Sequence, residues 1–342
     1  MSSFARILPF VKPLEHLLLD PSVTEVMVNA GGRRVFVERD GLLAEVPDLV
    51  LDERNLKVAI KNIARTCGDE ISEAQPVLDA RLEDGSRVAA MFPPCSVNGP
   101  TLTIRKFSRR YALTDLVEVG TLTSELAAQL QDAVRDRRNI LISGGTGTGK
   151  TTLLNALAAT IPDADRIVLI EETSEIMIDK PNLVRFEARR AQAPLGQETP
   201  LPAVTIADLL RATLRHRPDR ILVGEVRGPE AFDLLQALNT GHLGSMSTIH
   251  ANSAEQALTR FSHCVLTANV GLPHASTREA IAFAIDLVAH VARQGSRRVV
   301  TQLVDVGGYD SRTDTFALET QHARPAAEGD DVGRLVPPAG LH

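Results

Sequence analysis

Apolar and polar positions alternate through VTEVMVN (23–29) and resume after Gly31-Gly32 in RRVFVERDG, which ends at Asp40-Gly41. Alternation on both sides of a glycine turn predicts a β-hairpin. The period then lengthens: Leu56, Ala59, Ile60, Ile63, Ala64 and Cys67 recur at helical spacing, with Asp52 placed to cap the start and Gly68 to end the helix. VLDARLEDGSRVAAMF predicts a second hairpin turning at Asp84-Gly85, PTLTIRKF (100–107) a last strand, and SRRYALTDLVEVG a linker. Ahead of the first hairpin, Phe10, Val11, Leu14, Leu17 and Leu18 are apolar at roughly helical spacing. So short a stretch, with Pro9 just before it and Pro13 inside it, is expected to pack on its own domain rather than on lipid.

From about residue 121 the rhythm becomes helix, strand, helix, strand. NILIS (139–143), RIVLIE (166–171) and RILVGE (220–225) are short continuous apolar runs, as expected of strands buried on both faces of a mainly parallel sheet. Amphipathic stretches near 124–136, 151–160, 205–216 and 229–240 predict the crossover helices, and a further helical pattern covers 275–292. RRVVTQLVDV (297–306) predicts a late strand, 189–204 a long irregular loop, and the Pro/Gly-rich stretch from 323 a disordered tail.

A length of 342 residues favours two domains, and 37 basic against 43 acidic side chains leave a net charge of −6. With aromatics at 4% and no Trp, that balance argues against a dedicated nucleic-acid binder, so nucleic acid is not an expected partner. Cys67, Cys95 and Cys264 are far apart and form neither a disulfide framework nor a zinc knuckle. The amino terminus makes a poor signal peptide, and no apolar run approaches the roughly 20 residues that span a bilayer, so a cytoplasmic protein is expected.

The densest chemistry follows NILIS. Gly144, Gly149, Lys150 and Thr151 fill the GxxxxGK[ST] pattern, with Gly145, Thr146, Gly147 and Thr148 between them and Thr152 next, and a helical pattern begins at once. Glycines let backbone N–H groups wrap a phosphate, and the helix N-terminus adds the positive end of its dipole. Lys150 is placed to reach the terminal phosphate oxygens and the Thr151 hydroxyl to ligate Mg²⁺, which points to ATP and Mg²⁺ as ligands.

Two other strand patterns end in acids, Glu171 (followed by Glu172 and Glu175) and Glu225. In an open parallel sheet these ends share the edge where ligands bind. One carboxylate there can hold the Mg²⁺ hydration shell and another can orient or deprotonate an attacking water. Acids are also favoured at helix N-termini, which is the competing account and applies most directly to Glu175.

GGTGTGKTT, IEETSE and RPDRILVGEVRGPEAFDLLQALNTGHLGSMSTIHANSA together resemble the secretion (traffic) ATPases of type II, type IV and tight-adherence pilus systems. With PSVTEVMVN, VFVERDG, GSRVAAMFPP and GPTLTIRKF, the resemblance covers about residues 14–305. It implies an α/β fold: a PAS-like amino-terminal domain (1–108), a linker (109–120) and a RecA-like P-loop ATPase domain (121–322). It further implies a homo-hexameric ring that hydrolyses ATP at the cytoplasmic face of the inner membrane, coupled to an inner-membrane platform protein. Site by site, the resemblance makes Glu171 the catalytic glutamate, Glu225 the acid on the Mg²⁺ side and His250 the histidine of STIHAN. Arg87 (in GSRV) and Arg105 (in TIRKF) match arginines brought onto the nucleotide phosphates. The acidic box departs from the usual Glu-Asp by reading Glu171-Glu172, and no tetracysteine insert is present, so no zinc is expected and the pilus-assembly and type IV branches are favoured.

Without the resemblance, a lone histidine such as His250 or His242 is most often structural, and Arg87 and Arg105 could be solvated strand ends. Arg189-Arg190 and Arg211, Arg215 and Arg217 read as solvated flanks. Three rivals to a mechanochemical ATPase remain: a RecA-like DNA translocase, a nucleotide-binding regulatory scaffold without useful turnover, and a small-molecule kinase, for which no acceptor pocket is evident.

Overall fold

The structure is a computed structural model that describes residues 7–39, 41–82, 85–106, 111–189, 191, 201–295 and 297–324. Asp40 and Asp84 of the expected turns, 107–110 at the expected linker, Arg190, most of the expected 189–204 loop and the tail after 324 lie outside those residues. The chain divides into two compact units, one within residues 1–109 and one within 110–330.

The first unit contains helix α1 (Glu15–Leu19), strands β1 (Val23–Asn29), β2 (Arg34–Arg39) and β3 (Leu42–Glu45), helix α2 (Glu53–Thr66), and strands β4 (Val77–Arg81), β5 (Arg87–Met91) and β6 (Thr101–Arg105). All six strands pair antiparallel in the order β3-β2-β1-β6-β5-β4. The Asp52 carboxylate accepts from the Asn55 N–H at 2.9 Å, capping α2 where the spacing placed the cap. The α2 stripe Leu56, Ala59, Ile60 and Ile63 is buried against Val26, Val28, Leu102 and Ile104 of the sheet. Val11, Leu14, Leu17 and Leu18 are buried in that same core, as their spacing predicts, whereas Phe10 remains exposed. The strand β3 was not evident in the sequence: all four of its residues are exposed.

The second unit opens with α3 (Leu113–Glu118) and α4 (Ser124–Arg135) and continues through β7 (Ile140–Gly144), α5 (Lys150–Ala159), β8 (Ile167–Glu171) and β9 (Leu183–Glu187). It goes on with α6 (Ile206–Thr213), β10 (Arg220–Val226), α7 (Glu230–Asn239), β11 (Met246–His250), α8 (Ala254–Thr267) and α9 (His274–Ala284). Strands β12 (Leu287–Gln294), β13 (Arg297–Asp310) and β14 (Thr315–Ala323) close it. The eight strands lie in the order β14-β13-β12-β7-β11-β10-β8-β9. From β12 to β9 neighbours run parallel, while β13 and β14 extend the sheet antiparallel. Successive residues of the parallel strands serve opposite faces, which is why their sequences are continuously apolar. Ile140, Ile142, Leu169 and Leu222 pack under α4 and α5, while Leu141, Ile170, Val223 and Ile249 pack under α7 and α8. Leu113 and Leu116, within the stretch read as a linker, are buried in the core beneath α4 and α5.

Two sequence expectations are corrected. The helical pattern at 275–292 is a helix only to Ala284, after which Leu287, Val288 and Ala289 enter the sheet between β7 and β13. The run AIAFAIDLVAHVA suits either period. Asp286 marks the change by accepting the Asn139 N–H at 2.7 Å, which anchors β12 beside β7. Residues 174–180 form no helix, so the helix-cap account of Glu175 fails. Among the described residues, no helix is long and apolar enough to cross a membrane.

Candidate nucleotide site

The parallel strands β7, β8, β10 and β11 deliver Gly144, Glu171, Glu225 and His250 to one edge of the sheet. Between β7 and α5 the chain runs as a tight loop whose first residue must be glycine. A Cβ on Gly144 would stand 2.3 Å from the Val291 carbonyl oxygen of β12 and 2.6 Å from Thr148 Oγ1. The Thr148 hydroxyl donates to the Gly145 carbonyl at 3.0 Å, and α5 begins at Lys150 directly after Gly149. Lys150 is buried, and its ammonium donates to the carbonyls of Gly144 (3.1 Å) and Gly145 (2.9 Å) while lying 3.3 Å from His250 Nδ1. Thr151 and Thr152 occupy the first turn of α5, and Thr146 and Gly147 are exposed at the loop's tip.

Neighbouring strands brace this loop with residues the sequence reading did not single out. Ser143 and the buried His290 sit opposite each other on β7 and β12, with Oγ 2.9 Å from Nδ1. Burial, reinforced by the charge of Lys150, pushes the His290 imidazolium down to a pKa of about 4, so the ring is neutral. Arg298 of β13 donates through Nε to the Gly147 carbonyl at 3.0 Å.

His250 extends the chain of contacts from Lys150 towards β10. Its Nε2 lies 2.7 Å from Glu225 Oε1, and burial followed by the Lys150 charge holds its pKa below the usual histidine range. Glu225 Oε1 is nevertheless buried without a properly aligned hydrogen bond, whereas Oε2 accepts from Arg227 at 2.7 Å. Arg227 also pairs with Glu172, which gives the second glutamate of the acidic box a visible partner. A carboxylate oxygen with spare acceptor capacity, with the Thr151 hydroxyl on the helix behind the loop, suits Mg²⁺, which takes few protein oxygens and completes its shell with water and phosphate.

Glu171 is only 2% exposed. Its Oε1 accepts the N–H groups of Glu175 (2.7 Å) and Ile176 (2.8 Å), and its Oε2 faces Arg185 Nη2 at 3.4 Å. The side chain lies over β10 at Gly224, where a Cβ would come within 3.1 Å of Glu171 Cγ, so the glycine leaves room for the carboxylate. Burial dominates its titration and pushes its pKa up to about 7 against the opposing pull of the two N–H bonds and Arg185. A carboxyl poised near neutrality at a sheet's ligand edge can exchange a proton with water.

Arg87 and Arg105 belong to the first unit, where they stand opposite each other on β5 and β6. Arg87 pairs with Asp79 at 3.5 Å, and Arg105 is exposed beside Glu25. Arg211 is tied to Asp208 and Asp233, and Arg189 donates to the Pro202 carbonyl, consistent with structural roles for both.

Residues 11–325 match the profile of a family described as Type II/IV secretion system protein. The conjugal transfer protein TrbB of Rhizobium radiobacter is 37% identical over 318 residues, covering 92% of this chain and 91% of that protein. The type IV secretion system protein PtlH of Bordetella pertussis is 35% identical over 309 residues, covering 83% and 89%. Among solved structures, the Legionella pneumophila ATPase DotB aligns with a TM-score of 0.59 at 21% identity, covering 85% of this chain and 79% of DotB. That last likeness is one of fold, in keeping with a RecA-like P-loop domain and a smaller PAS-like α/β domain.

Proposed function

This chain belongs to the Type II/IV secretion system protein family, and on that premise we propose that it is a Mg²⁺-dependent ATP hydrolase that powers macromolecule transfer or pilus assembly across the cell envelope. The observation that carries the reading is the buried Lys150 in a strand–loop–helix cradle, with Glu171 and Glu225 at the same edge of the sheet. The backbone N–H groups of 144–151 and the start of α5 bind phosphate oxygens, and Lys150 exchanges its two loop carbonyls for them. Thr151 and Glu225 would hold Mg²⁺, which would neutralise charge on the phosphoryl oxygens. Glu171 orients the attacking water and takes its proton at Oε2, because Oε1 is committed to two backbone N–H groups. Water oxygen bonds to the γ-phosphorus as the bond to the ADP oxygen breaks, yielding ADP and phosphate.

In this reading Arg87 and Arg105 act on the phosphate charge, and His250 relays the state of Lys150 to Glu225, with which it is already in contact. The protein works as a homo-hexamer on the cytoplasmic face of the inner membrane, engaging a platform protein there. The relatives named for conjugal transfer and type IV secretion favour transfer of a macromolecule as the work done.

The test is steady-state turnover of Mg·ATP by the full chain and by Lys150→Ala and Glu171→Gln. Both variants should retain the native circular dichroism spectrum and lose about 10²-fold or more in kcat, the usual weight of a positioned acid–base or charge-stabilising group. Unimpaired turnover in Lys150→Ala would overturn the site. Unimpaired turnover in Glu171→Gln would overturn the base and favour a scaffold without useful turnover.

A further inference from the structure

Glu171 could not be held as it is by its own strand alone. The turn that follows β8 folds back so that the N–H groups of Glu175 and Ile176 reach Oε1, and this turn has no helix to stabilise it. Side chains from other elements do so, beginning with the Glu187 carboxylate of β9, which accepts from the Ser174 hydroxyl. Asn155 of α5 accepts the Met177 N–H at 2.8 Å through Oδ1. Arg185 of β9 donates through Nη2 to the Ile176 carbonyl at 2.7 Å, with the same nitrogen 3.4 Å from Glu171 Oε2 and Nη1 3.5 Å from Met177 Sδ.

We propose that Arg185 is the positioning residue of the catalytic carboxylate, one guanidinium fixing both the free oxygen of Glu171 and the turn whose N–H groups hold the other oxygen. This rests on the assignment of Glu171 as the base and names a residue that the assignment lacks. Ile176 is gripped from both ends, since its N–H donates to Glu171 and its carbonyl accepts from Arg185. β8 and β9 are parallel, with Leu169 opposite Arg185, so the arginine starts two residues short of the edge and its length spans the turn. It is half-buried while Glu171 is almost wholly buried, so its charge acts on a carboxylate that water screens weakly.

The charges around Glu171 are few. From β9 comes Arg185, and Glu187, opposite Glu171 in register, is occupied by the Ser174 hydroxyl at 2.8 Å. From the turn comes Glu175, whose negative charge opposes ionisation. β10 meets the side chain with Gly224. Arg185 is therefore the cation that joins the two N–H bonds in opposing burial and the Glu175 charge, favouring the ionised form of the carboxyl.

The experiment is the pH dependence of kcat and the KM for Mg·ATP in the full chain carrying Arg185→Ala, Arg185→Gln and Arg185→Lys. In Arg185→Ala the acid limb of the profile should move up by about one pH unit, the effect of removing an opposite charge at this range. Its kcat at neutral pH should fall about tenfold, with KM held within about twofold, because the residue does not touch the phosphate loop. Arg185→Gln keeps a donor for the Ile176 carbonyl without the charge, so its kcat at alkaline pH should recover while the limb stays displaced. Arg185→Lys keeps the charge and should bring the limb back. If Arg185→Ala does not fold, Arg185→Gln and Arg185→Lys still separate charge from turn support. A limb at the wild-type pH in the neutral variants, or a change confined to KM, would overturn the inference. Should Glu171→Gln abolish turnover while every Arg185 variant behaves as wild type, the inference falls and the base assignment stands. Should Glu171→Gln turn over normally, both fall.

Discussion

At the scale of single residues, the site is set by how burial competes with hydrogen bonding. Glu171 has two good N–H partners and an arginine nearby, which ordinarily depress a carboxyl's pKa, yet burial outweighs them and lifts it from 4.5 to about 7. Two consequences of opposite sign follow. The proton acceptor must be ionised, so kcat at saturating Mg·ATP should rise with pH through about 7 and level off above it. The folded chain binds this proton more tightly than the unfolded chain does. Its contribution to stability is therefore fully present below the unfolded value and is lost as pH rises through about 7. The acid loss of rate thus cannot be ascribed to this group unfolding the protein. A rate profile measured beside the melting temperature over the same pH range checks the pair. A flat profile across neutrality, or a melting temperature that falls in step with the rate as the pH is lowered, would contradict the assignment.

At the scale of elements, the same sheet is fastened at the edge opposite the site. Arg220, the first residue of β10, is 1% exposed and donates through Nε to Asp165 at 2.7 Å and through Nη1 to the Val134 carbonyl at 2.7 Å. Arg137, just beyond α4, shares Asp165. This one guanidinium joins α4, the β8 approach and β10, so replacing it removes several buried bonds at once and leaves polar partners behind. Arg220→Met should cost about 3–5 kcal/mol in urea unfolding, as for other broken buried pairs. A cost under about 1 kcal/mol would show that Asp165 and the Val134 carbonyl find new partners.

What the sequence discloses tracks how local each signal is. The phosphate loop is contiguous, and its strand, glycines, lysine and following helix all appear within residues 140–159. Glu225 was legible as the acid near the end of an apolar strand, whereas His250 was singled out only by the resemblance. β12 was not, because the stretch around Asp286 suits helix and strand equally until a neighbour, Asn139, decides it. β3 was not, because it is an exposed edge without a buried face. Arg185 escaped notice for a different reason. Nothing in LVRFE ties it to Glu171, 14 residues earlier, until β8 and β9 lie side by side and the turn between them folds back.

At the scale of the molecule, the residues proposed as phosphate cradle, base and metal-side acid lie in the second unit, whereas the arginines proposed to act on the phosphates belong to the first. Arg87 and Arg105 stand opposite each other across β5 and β6, like charges side by side on one sheet. Apposed like charges on a sheet are mutually unfavourable, and here Asp79 beside Arg87 and Glu25 beside Arg105 offset them. If, as proposed, the chain works as a ring in which these arginines act on the nucleotide phosphates, catalysis depends on assembly. Turnover per protomer should then rise steeply with protein concentration and plateau once rings are complete. Adding the Lys150→Ala chain to a fixed amount of wild type near the plateau should lower the total rate as mixed rings form. If both curves are flat and sizing shows a monomer, each chain completes its own site and the ring is not needed for chemistry. If the wild-type curve is steep and the mixture still retains full activity, assembly supports folding of the protomer without coupling one site to the next. Only a steep curve together with poisoning by the inactive chain requires neighbouring sites to act in concert, which a motor that does work on a macromolecule needs and a lone nucleotide-binding scaffold does not.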